Sequence, residues 1–202
     1  MADRKFLLVR HAPISKETFE LTEPGRAIAL EMGVSVRQKY GSDSRIIVIA
    51  CNSKRTIQTS ELFISGAGKD LEGRIPELFI DSDMENYLIK DQAGYDKLVS
   101  SFSGLQKFSE AWRNGSIPPE IAEPPEEVAS RFLGVFLKPC GDFSLGVMIA
   151  NVQPVRAILQ RITGQNQYEL GEKPKYGEFI DFQLEGRLLK MFYRSKEYSC
   201  KL

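Results

Sequence analysis

The 202-residue sequence predicts an α/β fold: a three-layer α/β/α sandwich around a mostly parallel sheet, organised as a single domain over residues 1–202. Three short apolar runs carry that expectation: FLLV at 6–9, IIVIA at 46–50 and VMIA at 147–150. None alternates polar with apolar residues, which is the pattern of strands covered on both faces. Helical segments separate the runs, and strands that alternate with helices build a sheet sandwiched between helix layers.

Each element has a local reason. Residues 21–40, LTEPGRAIALEMGVSVRQKY, offer Thr22 as a helix N-cap and Ala27, Leu30 and Val34 as the apolar stripe. Residues 55–64 read as a second helix beginning after the second strand. PPEEVASRFLGVFLKPC starts a helix with prolines and acids, then sets Val128, Phe132, Val135 and Phe136 on one face. PVRAILQRITG puts Pro154 at the first helical position, Val155, Ile158, Leu159 and Ile162 on its stripe, and Gly164 at its end. EFIDFQLEGRLLKMFYR, residues 178–194, reads as a hairpin turning at Glu185-Gly186 and exposed as a sheet edge. Residues 85–122 lack a clear period and read as a helical cap over the strand ends. Its aromatic residues Tyr95, Phe102, Phe108 and Trp112 either line a hydrophobic pocket or pack the excursion onto the domain.

Composition narrows the partners. Lys+Arg and Asp+Glu both number 27, so no whole-chain field draws the protein to nucleic acid or an anionic membrane. Anion binding must come from a local cluster. Cys51, Cys140 and Cys200 are too scattered for a disulfide framework or a zinc site, and an odd count fits a reducing compartment. No metal-ligand spacing is present, and no cofactor is expected. The N-terminal MADRKFLLVR is too short in apolar residues for a signal peptide, and no run reaches membrane-spanning length, so the expected location is cytoplasmic.

Ligands of open α/β sheets bind beyond the carboxyl ends of the strands. After the first run come Arg10 and His11, the one histidine of the chain. Lys54 and Arg55 follow the second run; Asn151, Gln153 and Arg156 follow the third. Guanidiniums grip phosphate oxygens through forked hydrogen bonds, and helix N-termini add oriented N–H groups. A neutral imidazole in that setting is a phosphoryl acceptor. The residues alone leave other readings open: a strand-end histidine can be a capped structural residue, and Arg55 can pair with an acid.

The motifs resemble those of the histidine phosphatase superfamily, the phosphoglycerate-mutase-like proteins. LVRHAPI is similar to the family's Arg-His signature, LTEPGRAIAL to its first helix entry, and CNSKRTIQTSEL to its second arginine motif, with Cys51-Asn52 where Ser-Pro is usual. AEPPEEVASRF resembles the segment framed by an acid and an arginine, here Glu123 and Arg131. VMIANVQPVRAIL looks like the strand–turn–helix that bears the family's second catalytic histidine, and KPKYGEF, with Tyr176 and Gly177, like the approach to its final hairpin.

The resemblance implies a metal-independent phosphatase acting on a small phosphate monoester. His11 would become transiently phosphorylated while Arg10 and Arg55 hold the phosphoryl oxygens. Asp81, in LFIDSDMENY, falls at the position of the acid that protonates the leaving group, with Asp83 and Glu85 close enough to exchange roles. The departure is at the second histidine, whose place is taken by Asn151. An amide keeps a hydrogen bond to phosphate but loses the charge, so the alternative is a catalytically impaired member that binds a phosphorylated ligand or partner.

Overall fold

In the computed structural model, residues 4–68, 75–138, 143–165, 169 and 173–202 are described; Cys140 lies outside them. The strands are β1 (Arg4–Arg10), β2 (Ile46–Ala50), β3 (Glu77–Ile80), β4 (Leu145–Ala150), β5 (Phe179–Glu185), β6 (Leu188–Tyr193) and β7 (Lys196–Lys201). They form one sheet in the order β3-β2-β4-β1-β5-β6-β7. The first four in that order run parallel, and β5, β6 and β7 continue the sheet antiparallel.

Successive strand residues face opposite sides, and both sides are covered. Leu7, Val9, Val48 and Val147 pack with Met32 and Val36 of α1 (Glu23–Tyr40) and Phe63 of α2 (Lys54–Gly68). Phe6, Leu8, Ile49 and Met148 pack the other way. Their partners are Phe132 of α5 (Pro125–Val135) and Ile158 of α6 (Val152–Thr163). This two-sided burial is why the apolar runs do not alternate. Between β3 and α5 lie α3 (Gln92–Ser101) and α4 (Leu105–Arg113), which occupy the segment expected to form the cap. No helix among the described residues is long and apolar enough to cross a membrane.

Four local expectations need correction. The buried face of α1 is Gly25, Ala29, Met32, Gly33 and Val36, whereas Leu30 is exposed. Two glycines explain the shift. A Cβ on Gly33 would stand 2.0 Å from the Phe63 carbonyl oxygen, and one on Gly66 2.1 Å from that of Leu30. The backbones of α1 and α2 therefore touch where hydrophobic periodicity registers nothing. The hairpin of β5 and β6 turns at Gly186-Arg187, one residue later than expected, with Gly186 at φ 63°. It is not an edge, because β7 pairs along β6. Finally, α6 begins at Val152, so Pro154 sits at its third position.

Candidate active site

The carboxyl ends of β1, β2 and β4 lie side by side and deliver Arg10-His11, Cys51 and Asn151 to one place. His11 N–H donates to the Ala150 carbonyl across the β1–β4 seam at 2.9 Å, and Ala12 N–H donates to Thr59 Oγ1 of α2 at 3.2 Å. The next turn is held just as closely. Thr22 N–H donates to the Pro13 carbonyl, the Thr22 hydroxyl caps Gly25 N–H at 3.2 Å, and a Cβ on Gly25 would stand 2.1 Å from the Pro13 oxygen. Gln58 Oε1 accepts from Leu21 N–H at 3.0 Å. The Leu-Thr-x-x-Gly and Arg-Thr-x-Gln-Thr motifs are thus clamps that hold the histidine loop between α1 and α2.

His11 is 5 % exposed, and its Nδ1 lies 2.8 Å from the Ala12 carbonyl oxygen. A carbonyl only accepts, so Nδ1 carries the proton and Nε2 keeps its lone pair. Burial pushes the His11 pKa down to about 4; the Ala12 hydrogen bond opposes this, and the positive charges of Arg55 and Arg10 add to it. The ring is neutral at physiological pH.

The two arginines are held differently. Arg10 donates from Nη2 to the Tyr176 hydroxyl at 2.8 Å, with its guanidinium carbon 3.9 Å from the Tyr176 ring centre. Its Nε is buried without a hydrogen-bond partner among the described residues. Arg55 donates from Nε to Asn151 Oδ1 at 2.6 Å. The Asn151 amide nitrogen in turn lies 3.7 Å from Cys51 Sγ. The two departures from the resembled motifs, Cys51 and Asn151, therefore touch. Asn151 is also the N-cap residue of α6, yet it makes no side-chain cap to that helix because its oxygen is engaged by Arg55. Among the described residues, the N–H groups of Val152 and Gln153 at the start of α6 receive no cap from the Asn151 side chain, which favours an anion there.

These residues line a pocket of about 350 Å³ that includes Arg10, His11, Arg55, Asn151 and Gln153 on the sheet side. Tyr87, Tyr95, Leu105 and Ser109 line it from the cap side, with Ile14 and Tyr176 at the rim. Sequence reasoning missed Tyr87, Asn86 and Ser109, which no motif marks. Tyr95 was named, and it is the aromatic of that set that reaches the pocket. Phe108 and Trp112 are buried as packing instead, with the Tyr87 ring tilted against that of Trp112, 4.9 Å between centres. Burial also pushes the Tyr87 hydroxyl well above the ordinary tyrosine range, so it stays protonated.

The acid expected at Asp81 stands elsewhere. Both its oxygens accept from Lys138 Nζ, at 2.8 and 2.6 Å, and Oδ1 also caps Asp83 N–H at 2.9 Å. Asp83 shares the same lysine at 2.7 Å, and Glu85 accepts from Asn52 N–H at 3.1 Å. No Asp or Glu is among the described residues lining the pocket. The loop that carries these acids is fixed by Arg131. That side chain forms a forked ion pair with Glu123, at 3.0 and 2.6 Å, and donates to the carbonyls of Asp83, Glu85 and Asn86. Among the described residues, no group of three or more His, Cys, Asp or Glu side chains is arranged to hold a metal ion.

Several solved structures share this architecture. Mycobacterial hydrolase 1 superposes with a TM-score of 0.62 at 15 % identity, over 90 % of this chain and 92 % of its own. YhfR of Bacillus stearothermophilus gives 0.62 at 15 % identity, over 91 % and 92 %. The chain has a phosphoglycerate-mutase-like fold. A third structure with this fold, the mycobacterial glucosyl-3-phosphoglycerate phosphatase, gives 0.58 at 14 % identity over 90 % and 91 %, and is also solved with VO3 and with inorganic phosphate. No protein-family model and no curated protein sequence matches the chain.

Proposed function

We propose that the chain is a phosphatase whose pocket takes the phosphoryl group of a small phosphate monoester and passes it through His11. The observation that carries this reading is the fixed tautomer of a neutral imidazole beside two guanidiniums: Nδ1–H on the Ala12 carbonyl, Nε2 bearing the lone pair. Nε2 attacks phosphorus as the ester oxygen leaves with its electron pair. The ring becomes cationic, and the Ala12 carbonyl accepts a strengthened hydrogen bond from Nδ1–H. Arg10, Arg55 and the open N-terminus of α6 meet the charge on the phosphoryl oxygens. Water then attacks phosphorus, and a neutral imidazole departs with its proton still on Nδ1.

Asn151 supports a second reading, a binding protein with little turnover. With its oxygen on Arg55 and its nitrogen on Cys51, the amide supplies no cation to the phosphoryl group. The deciding experiment is phosphoryl labelling. Incubation with labelled phosphate ester, quenched rapidly, gives an acid-labile adduct that His11→Ala abolishes. Anion binding with no adduct and no turnover favours the binding protein, and an acid-stable adduct removes His11 from the chemistry.

A further inference from the structure

The pocket holds the means to receive a phosphoryl group and lacks the means to protonate what leaves. Its described lining contains no carboxylate: Asp81 and Asp83 are paired with Lys138, and Glu85 accepts from Asn52 N–H. His11, neutral with Nε2 as the attacking atom, has no second proton to give. The tyrosine hydroxyls are weak acids, and that of Tyr87 is made weaker by burial. An alkoxide leaving group has a conjugate acid nearly as weak as water and needs such a proton; a phenolate, whose conjugate acid has a pKa of about 10, does not.

The far wall points the same way. On the cap side, the pocket is closed by the rings of Tyr87 and Tyr95 and by Leu105, with Asn86 and Ser109 beside them. The described lining residues include no cation besides Arg10 and Arg55 to answer a second anionic group on the substrate. At about 350 Å³ the space suits one ring carrying one phosphoryl group and sits near the lower end for small-molecule sites.

We infer that the substrate class is an aryl phosphate, the ester of a small phenol that bears no further negative charge. This rests on the phosphatase reading above and specifies its leaving group. In the first step the P–O(aryl) bond breaks as the Nε2–P bond forms, and the phenolate carries the electron pair out and takes its proton from solvent. In the second step water adds to phosphorus, the N–P bond breaks, and phosphate is released with the proton lost to solvent.

The test is kcat/KM for the wild-type protein across substituted phenyl phosphates, phenyl phosphate and propyl phosphate, with inhibition by vanadate measured in parallel. The expected result is a steep rise in rate as the phenol becomes more acidic, with propyl phosphate slower than phenyl phosphate on the order of 10²–10⁴-fold, the usual worth of a general acid. Tyr95→Ala should raise KM for phenyl phosphate several-fold while vanadate inhibition persists. Propyl phosphate turned over within tenfold of phenyl phosphate, with vanadate inhibiting, overturns the aryl assignment and leaves the phosphatase reading intact. If no ester is turned over, both fall together, whether or not vanadate binds.

Discussion

Arg55 reaches across the pocket floor to Asn151, Nε to Oδ1 at 2.6 Å, linking the start of α2 to the start of α6. An amide oxygen at that point orients the guanidinium while adding no charge of its own. A charge-assisted hydrogen bond of this kind contributes about 1.5–3 kcal/mol. It also ties Asn151 to a positioning role, since the same side chain turns its nitrogen toward Cys51.

Removing that acceptor tests the role. Asn151→Ala should weaken vanadate binding by roughly tenfold, the equivalent of about 1.4 kcal/mol, as Arg55 loses its orientation. Isothermal titration calorimetry against vanadate reads the effect, and an unchanged affinity would show that Arg55 is held by other means.

Asn151→His supplies the imidazole donor that the resembled motif carries. One preorganised donor to a developing oxyanion is worth on the order of 10²–10³ in kcat. Hydrolysis of p-nitrophenyl phosphate should rise toward that range. No gain, with vanadate affinity kept, would mean that this donor does not limit the rate.

The depressed pKa of His11 has a consequence for acid stability. Its folded value is about 4 against 6.5 ordinarily, so between those values the unfolded chain binds the proton more readily. The neutral ring's contribution is fully present above about pH 6.5 and is lost as pH falls toward 4, on the order of 3 kcal/mol in all. Urea unfolding at pH 7 and pH 4.5 should show a smaller loss in His11→Gln than in the wild type. Equal losses would place the acid sensitivity in other groups.

Glu123 is 5 % exposed and faces Arg131 across a forked pair. Glu123→Gln leaves a largely enclosed guanidinium without its counter-charge and should cost about 3 kcal/mol. That corresponds to a Tm roughly 6–12 °C lower in a chain of this size. Because Arg131 also pins the Asn86 carbonyl, KM should rise in the same variant. A thermal melt and a steady-state assay read the two effects separately.

The glycines of the helix layers give a contrast of opposite sign. Gly33→Ala drives a methyl into the Phe63 carbonyl and should destabilise by about 3 kcal/mol. Gly134, inside α5, has nothing within 4 Å of a built Cβ, so Gly134→Ala should stabilise by about 0.5–1 kcal/mol. Chemical denaturation distinguishes them, and a Gly33→Ala variant as stable as the wild type would refute the close contact of α1 with α2.

The same glycines show where sequence reading reaches its limit. The buried stripes of α5 and α6 were legible because Val128, Phe132, Ile158 and Ile162 meet the sheet through side chains. The face of α1 was not, since its contact with α2 is backbone on backbone at Gly33 and Gly66. β3 escaped the apolar runs because it has only Leu78, Phe79 and Ile80 behind Glu77 and is largely open to solvent. At the pocket, Arg10, His11, Arg55 and Asn151 could be read from their places after strands, which the topology then brought together. Tyr87 and Ser109 could not, because the path of the cap depends on tertiary packing around Phe108 and Trp112. The surroundings of Asp81 escaped for a related reason: motif spacing carries no information about Lys138, which lies 57 positions away and donates to both carboxylate oxygens.

The strand that carries Arg10 is the first of the chain, yet it lies between β4 and β5, its hydrogen-bonding neighbours on either side. Partners so remote in sequence make loop closure costly and assembly slow. During synthesis the histidine is therefore made before its pocket neighbours and cannot be set among them until residues near 150 have emerged, and its strand stays unpaired on the other side until those near 185 follow. A nascent chain stalled between those points would expose a bare apolar strand, a vulnerability to aggregation that the completed sheet removes.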